Sequence, residues 1–525
     1  EYEEGPSEGL SLSSYAYSVN YGTSLEDALK NLKVTYTNSS LESEEIAISS
    51  LEVVSEYDAV TPNDYMVYLT YNEFTVSLVI TLKKAPEEAS KDLNALTLED
   101  VVDKYELTRG LPSVGDVEVL VIPLKFKDID APANYKETLE IAFNGTSSET
   151  GWESLSSYYQ KVSYGVLNLH ATILDFYDTG DNFDEYAEYE DALDYDYLLY
   201  SIDYFDASID YSKFDQNNDG YIDCVYLVYL APYNGEDSDS LWWAYTSEYV
   251  VEKEEDDPAF DGVHLDYYMF FSFEFFNDPV IYGYDEDDEF SEELSTYVNV
   301  NAQTIIHETG HALGLDDYYD YDEETGPIGG AGGSLMMDYN VGDHDAYSKA
   351  ILGWINPVIV KGVDYTGDLR TFAENGDAII VSKNWDSSYF GEYYIIDFYS
   401  PTGVNEISIG DSGLFTIRGI RIYHIDSSLC DTPLGVFEMT LFNNTDTSHK
   451  LISLVEADGE NNIEKDFPPY GAFSEDSDLF QEGDSITLKW YDNTSYKSEK
   501  ELERSNQLQK HFLANMSHEI RTPMN

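Results

Sequence analysis

The sequence predicts an α+β chain in which a β-sandwich comes first, a mixed α/β unit divided by one helix follows, and a β-rich region closes the fold. Three observations predict it. Short alternating apolar runs fill residues 13–84, continuous apolar runs bounded by turns begin at residue 117, and one helical pattern over 300–315 stops at Gly314 in an acidic turn. With 525 residues the chain is long enough for about two to four domains, each with a core of its own.

In residues 13–84 the apolar runs 46–54, 65–71 and 74–82 are split by Thr61-Pro62-Asn63-Asp64 and Asn72-Glu73 turns, the pattern of an all-β sandwich. Residues 85–112, with Pro86, many charges and Gly110-Leu111-Pro112, read as a linker with a short helix. The unit 113–356 opens on 117–126, whose unbroken apolar character suits a buried strand. Helical spacing over 152–162 breaks at Ser163-Tyr164-Gly165 and leads into a strand over 166–174. Residues 222–230 read as another buried strand, and 300–315 as the helix. Residues 357–495 return to strands at 378–381, 393–398 and 420–425, with no chemistry assigned to them.

Composition narrows the function. Lys and Arg number 27 against 103 Asp and Glu, a formal charge of -76, so the surface repels nucleic acid and anionic membranes. Most of these acids read as solvation and salt tolerance. A hydrophobic fraction of 42% and an aromatic fraction of 15%, with 47 Tyr, are too high for a disordered acidic chain. The two cysteines, Cys224 and Cys430, rule out a disulfide scaffold and a cysteine-built zinc site. Cys224 sits in the apolar run 224–230 and is expected to be a buried thiol. No run approaches the roughly 20 apolar residues of a membrane span, and no stretch reads as a signal peptide. The chain begins at Glu1, so a trimmed form is expected, secreted or at the cell surface.

The chemistry concentrates in His307-Glu308-Thr309-Gly310-His311-Ala312-Leu313-Gly314-Leu315-Asp316-Asp317. Residues four apart share a helix face, so His307 and His311 can offer nitrogens to one Zn²⁺. Glu308 then sits where a carboxylate can take a proton from metal-bound water and pass it to a leaving amine. Gly314 lets the chain turn out of the helix and bring back a third ligand. Spacing favours Asp317, with Asp316 the adjacent alternative. His-Glu-x-x-His alone arises by chance in roughly one sequence in 70 of this composition, and requiring the Gly and Asp lowers that to about one in 10,000. The expected reaction is hydrolysis of internal peptide bonds in a protein or peptide substrate. The alternative is a surface-binding or sensory protein that uses the same fold without catalysis.

A second motif, Asp215-Gln216-Asn217-Asn218-Asp219-Gly220-Tyr221-Ile222-Asp223, places oxygen donors at alternate positions around a glycine turn. Asp215, Asn217, Asp219, the Tyr221 carbonyl and Asp223 make the first three-quarters of a calcium loop. Its twelfth position is Tyr226 rather than Glu, and a strand follows instead of a helix. The expected ion is structural, tying the strand at Ile222 to the loop before it.

Several stretches together resemble the immune-inhibitor-A-like family of secreted bacterial metalloproteases. They are 119–126 (Val-Leu-Val-Ile-Pro-Leu-Lys-Phe), 158–165 (Tyr-Tyr-Gln-Lys-Val-Ser-Tyr-Gly), 240–245 (Ser-Leu-Trp-Trp-Ala-Tyr), 307–321, and 336–354 with its Gly342-Asp-His-Asp-Ala-Tyr-Ser-Lys349 and Leu352-Gly-Trp354. The resemblance covers about 115–490. It implies a metzincin-like zinc protease domain, with His307, His311 and Asp317 as zinc ligands and Glu308 as general base. It also implies a methionine turn at Ser334-Leu335-Met336-Met337-Asp338-Tyr339, an apolar floor under the ligands, preceded by the glycine-rich run 329–333. Tyr339, two residues beyond Met337, is similar to a tyrosine that some metzincins place near the metal to donate to the oxyanion. Asp316 stands where a proline is common in the family. His344 falls in a family-like segment without an assigned role. Residues 13–84 resemble bacterial immunoglobulin-like modules, which implies spacing or adhesion.

The tail breaks with the rest. Residues 497–525 carry five basic and four acidic residues, and 512–525 (Phe-Leu-Ala-Asn-Met-Ser-His-Glu-Ile-Arg-Thr-Pro-Met-Asn) resembles the phosphoacceptor box of sensor histidine kinases, with His518 at the phosphorylated position. Nothing in the chain supplies the ATP site that such a kinase needs. The helical tail 496–525 is therefore expected to be an addition, from a fused, truncated or misassembled reading frame, that proteolysis does not need.

Overall fold

The structure is a computed structural model of the chain. It describes residues 8–19, 23–59, 63–82, 89–98, 100, 110–183, 193–233, 242–250, 257–282, 291–320, 330–361, 365–383, 385–406, 414–427, 444, 450–464 and 473–491. Pro86, Ser240, Leu241, Tyr321, Gly329, Cys430 and the tail with His518 lie outside the described residues. The chain divides into two compact units, Glu1–Ser90 and Lys91–Asn525.

The first unit is built from two sheets. Gly9–Leu12, Val34–Thr37 and Ser43–Ile46 form an antiparallel three-stranded sheet. The second sheet runs Ala16–Val19, Phe74–Leu82, Asp64–Tyr71, Glu52–Ser55, with its first pair parallel and the others antiparallel. The period of two is plain in Asp64–Tyr71, where Tyr65, Val67 and Leu69 are buried and Met66 and Tyr68 are exposed. Leu12 and Val34 of one sheet share a core with Val67, Leu69, Leu78 and Ile80 of the other. The run 46–54 is not one strand. A 3-10 turn at Ile48–Ser50 carries the chain from Ser43–Ile46 in one sheet to Glu52–Ser55 in the other, and a short helix, Leu25–Leu29, is added. Apolar alternation marks which residues point inward, but not which sheet they point from.

The second unit mixes helices and sheets, with several sheets and few helices. Its first sheet has the order Leu167–Ile173, Gly115–Lys125, Val225–Tyr229, Tyr267–Ser272, Tyr245–Glu248. The first four strands run parallel, and the central ones, Gly115–Lys125, Val225–Tyr229 and Tyr267–Ser272, are largely apolar on both faces, whereas the edge strand Leu167–Ile173 alternates and Tyr245–Glu248 pairs antiparallel at the other edge. The helices Tyr135–Asn144, Leu155–Val162 and Gln303–Ala312 pack here through Leu139, Tyr159 and Ile305, among others. Ser154 caps Leu155–Val162 by accepting the Ser157 N–H at 3.1 Å. A second sheet carries Ile452–Leu454, Gly419–Asp426, Glu392–Tyr399, Ala378–Ser382 and Val358–Lys361 in that order.

Both sheets feed one core. Val119, Tyr226, Ile306 and Met337 cluster with Ile395, Tyr423 and Ile452. Among the described residues, three Lys or Arg ion pairs are buried in this unit: Arg421 with Asp397 at 3.0 Å, Lys349 with Asp343 at 2.8 Å, and Lys450 with Asp320 at 2.8 Å. Removing one partner of such a pair costs about 3–5 kcal/mol, because it strands a buried charge. The described parts of 85–112 are packed rather than free. Ala95, Leu98 and Leu111 are buried, the Trp385 indole donates to Asp92 at 2.9 Å, and the Leu111 N–H donates to the Ala312 carbonyl at 2.8 Å. The apolar residues of that stretch find the core that its charges concealed in the sequence. Among the described residues no helix is long and apolar enough to cross a membrane.

Candidate metal centre

The Gln303–Ala312 helix is buried on nearly every side, and its partners explain its precision. Asn301 Oδ1 accepts the Gln303 N–H at 2.9 Å, Tyr159 donates its hydroxyl to the Ile306 carbonyl at 2.7 Å, and Thr309 meets the Tyr226 hydroxyl at 3.0 Å. The helix ends where Gly314 takes a φ of 90°, a left-handed conformation that costs glycine little. The turn is closed by Gly314 N–H to His311 O at 2.8 Å and Leu315 N–H to Gly310 O at 2.9 Å. It brings the next residues back beside the helix.

Three side chains converge there. His307 and His311 set their Nε2 atoms 3.2 Å apart, and Asp317 Oδ1 lies 3.0 Å from the first and 3.6 Å from the second. Each Nδ1 is 2.9 Å from a backbone carbonyl, Met336 O for His307 and Leu315 O for His311. A carbonyl only accepts, so each Nδ1 carries a proton, and in the neutral, metal-binding form each Nε2 presents a lone pair. With both rings neutral, two lone pairs and a carboxylate oxygen face one another, an arrangement that a metal cation or, without one, a proton on His307 Nε2 relieves. Two imidazole nitrogens and a carboxylate oxygen are a donor set that suits zinc. Burial by itself would lower the His307 pKa, but Asp317 and Glu308 overcome it and hold it up at about 9. His307, Glu308 and Asp317 are buried, while His311 is half-buried and marks the open side.

The two adjacent aspartates face different partners. Asp316 Oδ1 accepts the Asp317 N–H at 2.8 Å, and burial, opposed by His311, pushes its carboxyl up to about 6. The carboxylate that reaches both Nε2 atoms is that of Asp317. Glu308 Oε2 accepts a hydrogen bond from Thr246 Oγ1 at 2.9 Å, and the same hydroxyl is 2.9 Å from the Glu308 carbonyl. Thr246 lies on the antiparallel edge strand Tyr245–Glu248.

Met336 and Met337 divide the work under the helix. Met336 offers its carbonyl to His307, whereas the Met337 side chain packs against Gly310, one residue before His311. The Tyr318 N–H donates to Met337 O at 2.8 Å, which ties the residue after Asp317 to the same segment. Tyr339 closes the short Met336–Tyr339 helix and sets its ring 5.0 Å from that of Phe473. His344 is buried among the rings of Tyr158, Tyr159 and Trp354, with neither ring nitrogen hydrogen-bonded. Burial, with Lys349 and His307 nearby, keeps that imidazole neutral. It belongs to the packed wall behind the helix.

The 215–223 loop is organised around its own backbone. Asp215 accepts the N–H groups of Asp219 and Gly220 at 3.1 Å each, Asn217 Oδ1 that of Asp219 at 3.0 Å, and Asp219 Oδ1 that of Tyr221 at 2.9 Å. Asp223 is buried and accepts from Gln216 N–H at 3.1 Å, and burial pushes its carboxyl up to about 8. Its other oxygen has no hydrogen-bond partner. The structure does not draw these carboxylates into a cluster of the kind formed by His307, His311 and Asp317. Cys224 beside them is a buried free thiol whose pKa burial raises further.

Sequence reasoning missed Thr246, the Met336 and Leu315 carbonyls, and the Gly310–Met337 contact. Thr246 stands 62 residues from Glu308, one position beyond the 240–245 stretch that drew notice for its tryptophans. A carbonyl has no sequence signal at all. Compared with known protein families and with curated proteins, the chain matches none.

Proposed function

We propose that this chain is a zinc-dependent endopeptidase of the immune-inhibitor-A-like, metzincin-like kind, acting on proteins or peptides outside the cell. The observation that carries the reading is the convergence of His307 Nε2, His311 Nε2 and Asp317 Oδ1, within 3.6 Å of one another, while each Nδ1 is engaged by a backbone carbonyl. These three residues would hold the metal. Zinc, when bound, supplies Lewis acidity toward a water and a peptide carbonyl. Glu308 accepts a proton from the attacking water and returns it to the leaving amine, and the Thr246 hydroxyl orients its carboxylate for both tasks. Tyr339 would donate to the oxyanion as it develops. The charge of -76 argues against nucleic acid as a partner. A structural calcium ion at Asp215, Asn217, Asp219, Tyr221 and Asp223 belongs to the same reading, supported by the buried, unpaired Asp223 oxygen.

The deciding experiment substitutes Glu308→Gln, which keeps the shape of the side chain and its bond from Thr246 but cannot take a proton. Zinc content and thermal stability should stay at the wild-type level. Cleavage of an unfolded protein such as casein should fall by at least about 100-fold, the usual cost of losing a general base. Zinc-loaded wild-type protein that cleaves nothing in a broad peptide library would end the protease reading and leave a binding role for the fold.

A further inference from the structure

The β-rich region gathers three carboxylates of its own. Oxygens of Glu456, Asp458 and Asp478 lie within 4.8 Å of one another. Glu456 and Asp478 are only 7% and 1% exposed, while Asp458 faces solvent. Among the described residues no lysine or arginine forms an ion pair with any of them. Backbone amides aim the side chains. Asn462 and Ile463 N–H donate to the two Glu456 oxygens at 2.8 and 3.3 Å, Glu460 N–H to Asp458 Oδ1 at 2.9 Å, and Glu475 N–H to Asp478 Oδ2 at 2.8 Å. That leaves Asp478 Oδ1 buried with no hydrogen-bond partner, and Asn462 Oδ1, in the segment that holds Glu456, is in the same state. A buried carboxylate oxygen without a donor, beside two other carboxylates, is costly unless a proton or a metal cation meets it.

We propose that Glu456, Asp458 and Asp478 form a calcium site. The donors are all hard oxygens, and the exposed Asp458 leaves one side open for water ligands. Calcium ligands at about 2.3–2.6 Å allow oxygens up to roughly 5 Å apart across the ion, so the cluster accepts calcium as it stands. Magnesium demands a tighter octahedron, at about 2.0–2.1 Å, and keeps more of its water.

The placement gives the ion a mechanical role. Its ligands come from two segments joined by Ala457 N–H to Asp478 O at 3.1 Å. The same segments hold the glycine run, through Leu454 N–H to Gly330 O at 3.0 Å and Ser474 N–H to Gly332 O at 2.8 Å. Gly332 is pressed so closely that a Cβ would sit 2.9 Å from both Ile463 and Ser474. From there the chain runs straight to Met336, whose carbonyl fixes His307. Calcium here braces the floor of the His307 site from behind, whether or not that site cleaves peptides.

Calcium titrations by calorimetry and thermal melts, on the full chain loaded with zinc, test this. Asp458→Asn is the primary variant because that side chain is exposed and the fold should tolerate it. The number of calcium ions bound should fall by one, or their half-saturation rise at least about tenfold, and the calcium-dependent rise in Tm should shrink. Asp478→Asn should do the same more strongly, and Asp215→Asn allows the 215–223 loop to be counted separately. Unchanged stoichiometry, half-saturation and Tm rise in Asp458→Asn would overturn the site. Magnesium binding as tightly as calcium, and losing its place in the same variant, would overturn the calcium assignment.

Discussion

Gly310 has no room for a methyl group. A Cβ there would overlap Met337 Sδ and come within 3.0 Å of its Cε, and Met337 is fully buried. In an open helix Gly→Ala stabilises by about 1 kcal/mol. Here the overlap costs about 1–3 kcal/mol, because a buried methionine must shift between packed neighbours. Gly310→Ala should therefore lower stability on the order of 1 kcal/mol in denaturant titrations. The penalty should shrink when Met337→Ala is added, since the obstructing atoms are then gone. A stabilised Gly310→Ala would mean that Met337 yields freely and is no fixed floor. The same scale settles which of two adjacent aspartates faces the histidines. Asp316 is engaged by the Asp317 amide, so only Asp317 has its carboxylate turned toward both rings.

Between two strands of the second sheet, His424 is held in an aromatic stack that fastens the last described residues to the fold. Its ring lies 4.3 Å from Tyr394, its register partner across the sheet, and 4.3 Å from Tyr491. Its Nε2 is 3.1 Å from Glu392 Oε1, which also accepts the Tyr491 N–H at 2.6 Å. Burial alone would raise the Glu392 carboxyl, but the bonds from His424 and Tyr491 outweigh it and hold the pKa below the ordinary value. A carboxyl lowered in the folded state adds stability above its unfolded pKa, about 4.3, and loses it as pH falls through the folded value. Glu392→Gln should thus cost on the order of 1 kcal/mol near neutral pH. The gap to wild type should close as the solution is acidified below about pH 4, and a gap that stays constant would remove the carboxylate from this account.

The two compact units each carry a core of their own. The first runs from Leu12 to Ile80, and the second unit holds two clusters, one from Ala95 to Leu479 and one from Leu120 to Phe270. A fragment of residues 91–491 should therefore fold alone, with a cooperative transition within a few degrees of the corresponding transition in the full chain. Aggregation without a cooperative melt would show that Glu1–Ser90 is needed for folding. Residues 113–356 and 357–495, read from the sequence as consecutive segments, fall in the same unit. Apolar runs at 117–126 and 222–230, the helical spacing of His307 and His311, and the Gly314 stop were legible by themselves, because short-range periodicity and backbone freedom are properties of neighbouring residues. Tertiary structure alone decided the rest: that Thr246 holds Glu308, that Met336 and Leu315 lend carbonyls to the two imidazoles, and that Ala95 and Leu98 are core rather than linker. It also decided that Glu456 and Asp458 meet Asp478. Those contacts join backbone atoms that every residue possesses, or side chains far apart in the chain. No local pattern encodes them, because they exist only once the sheets have packed.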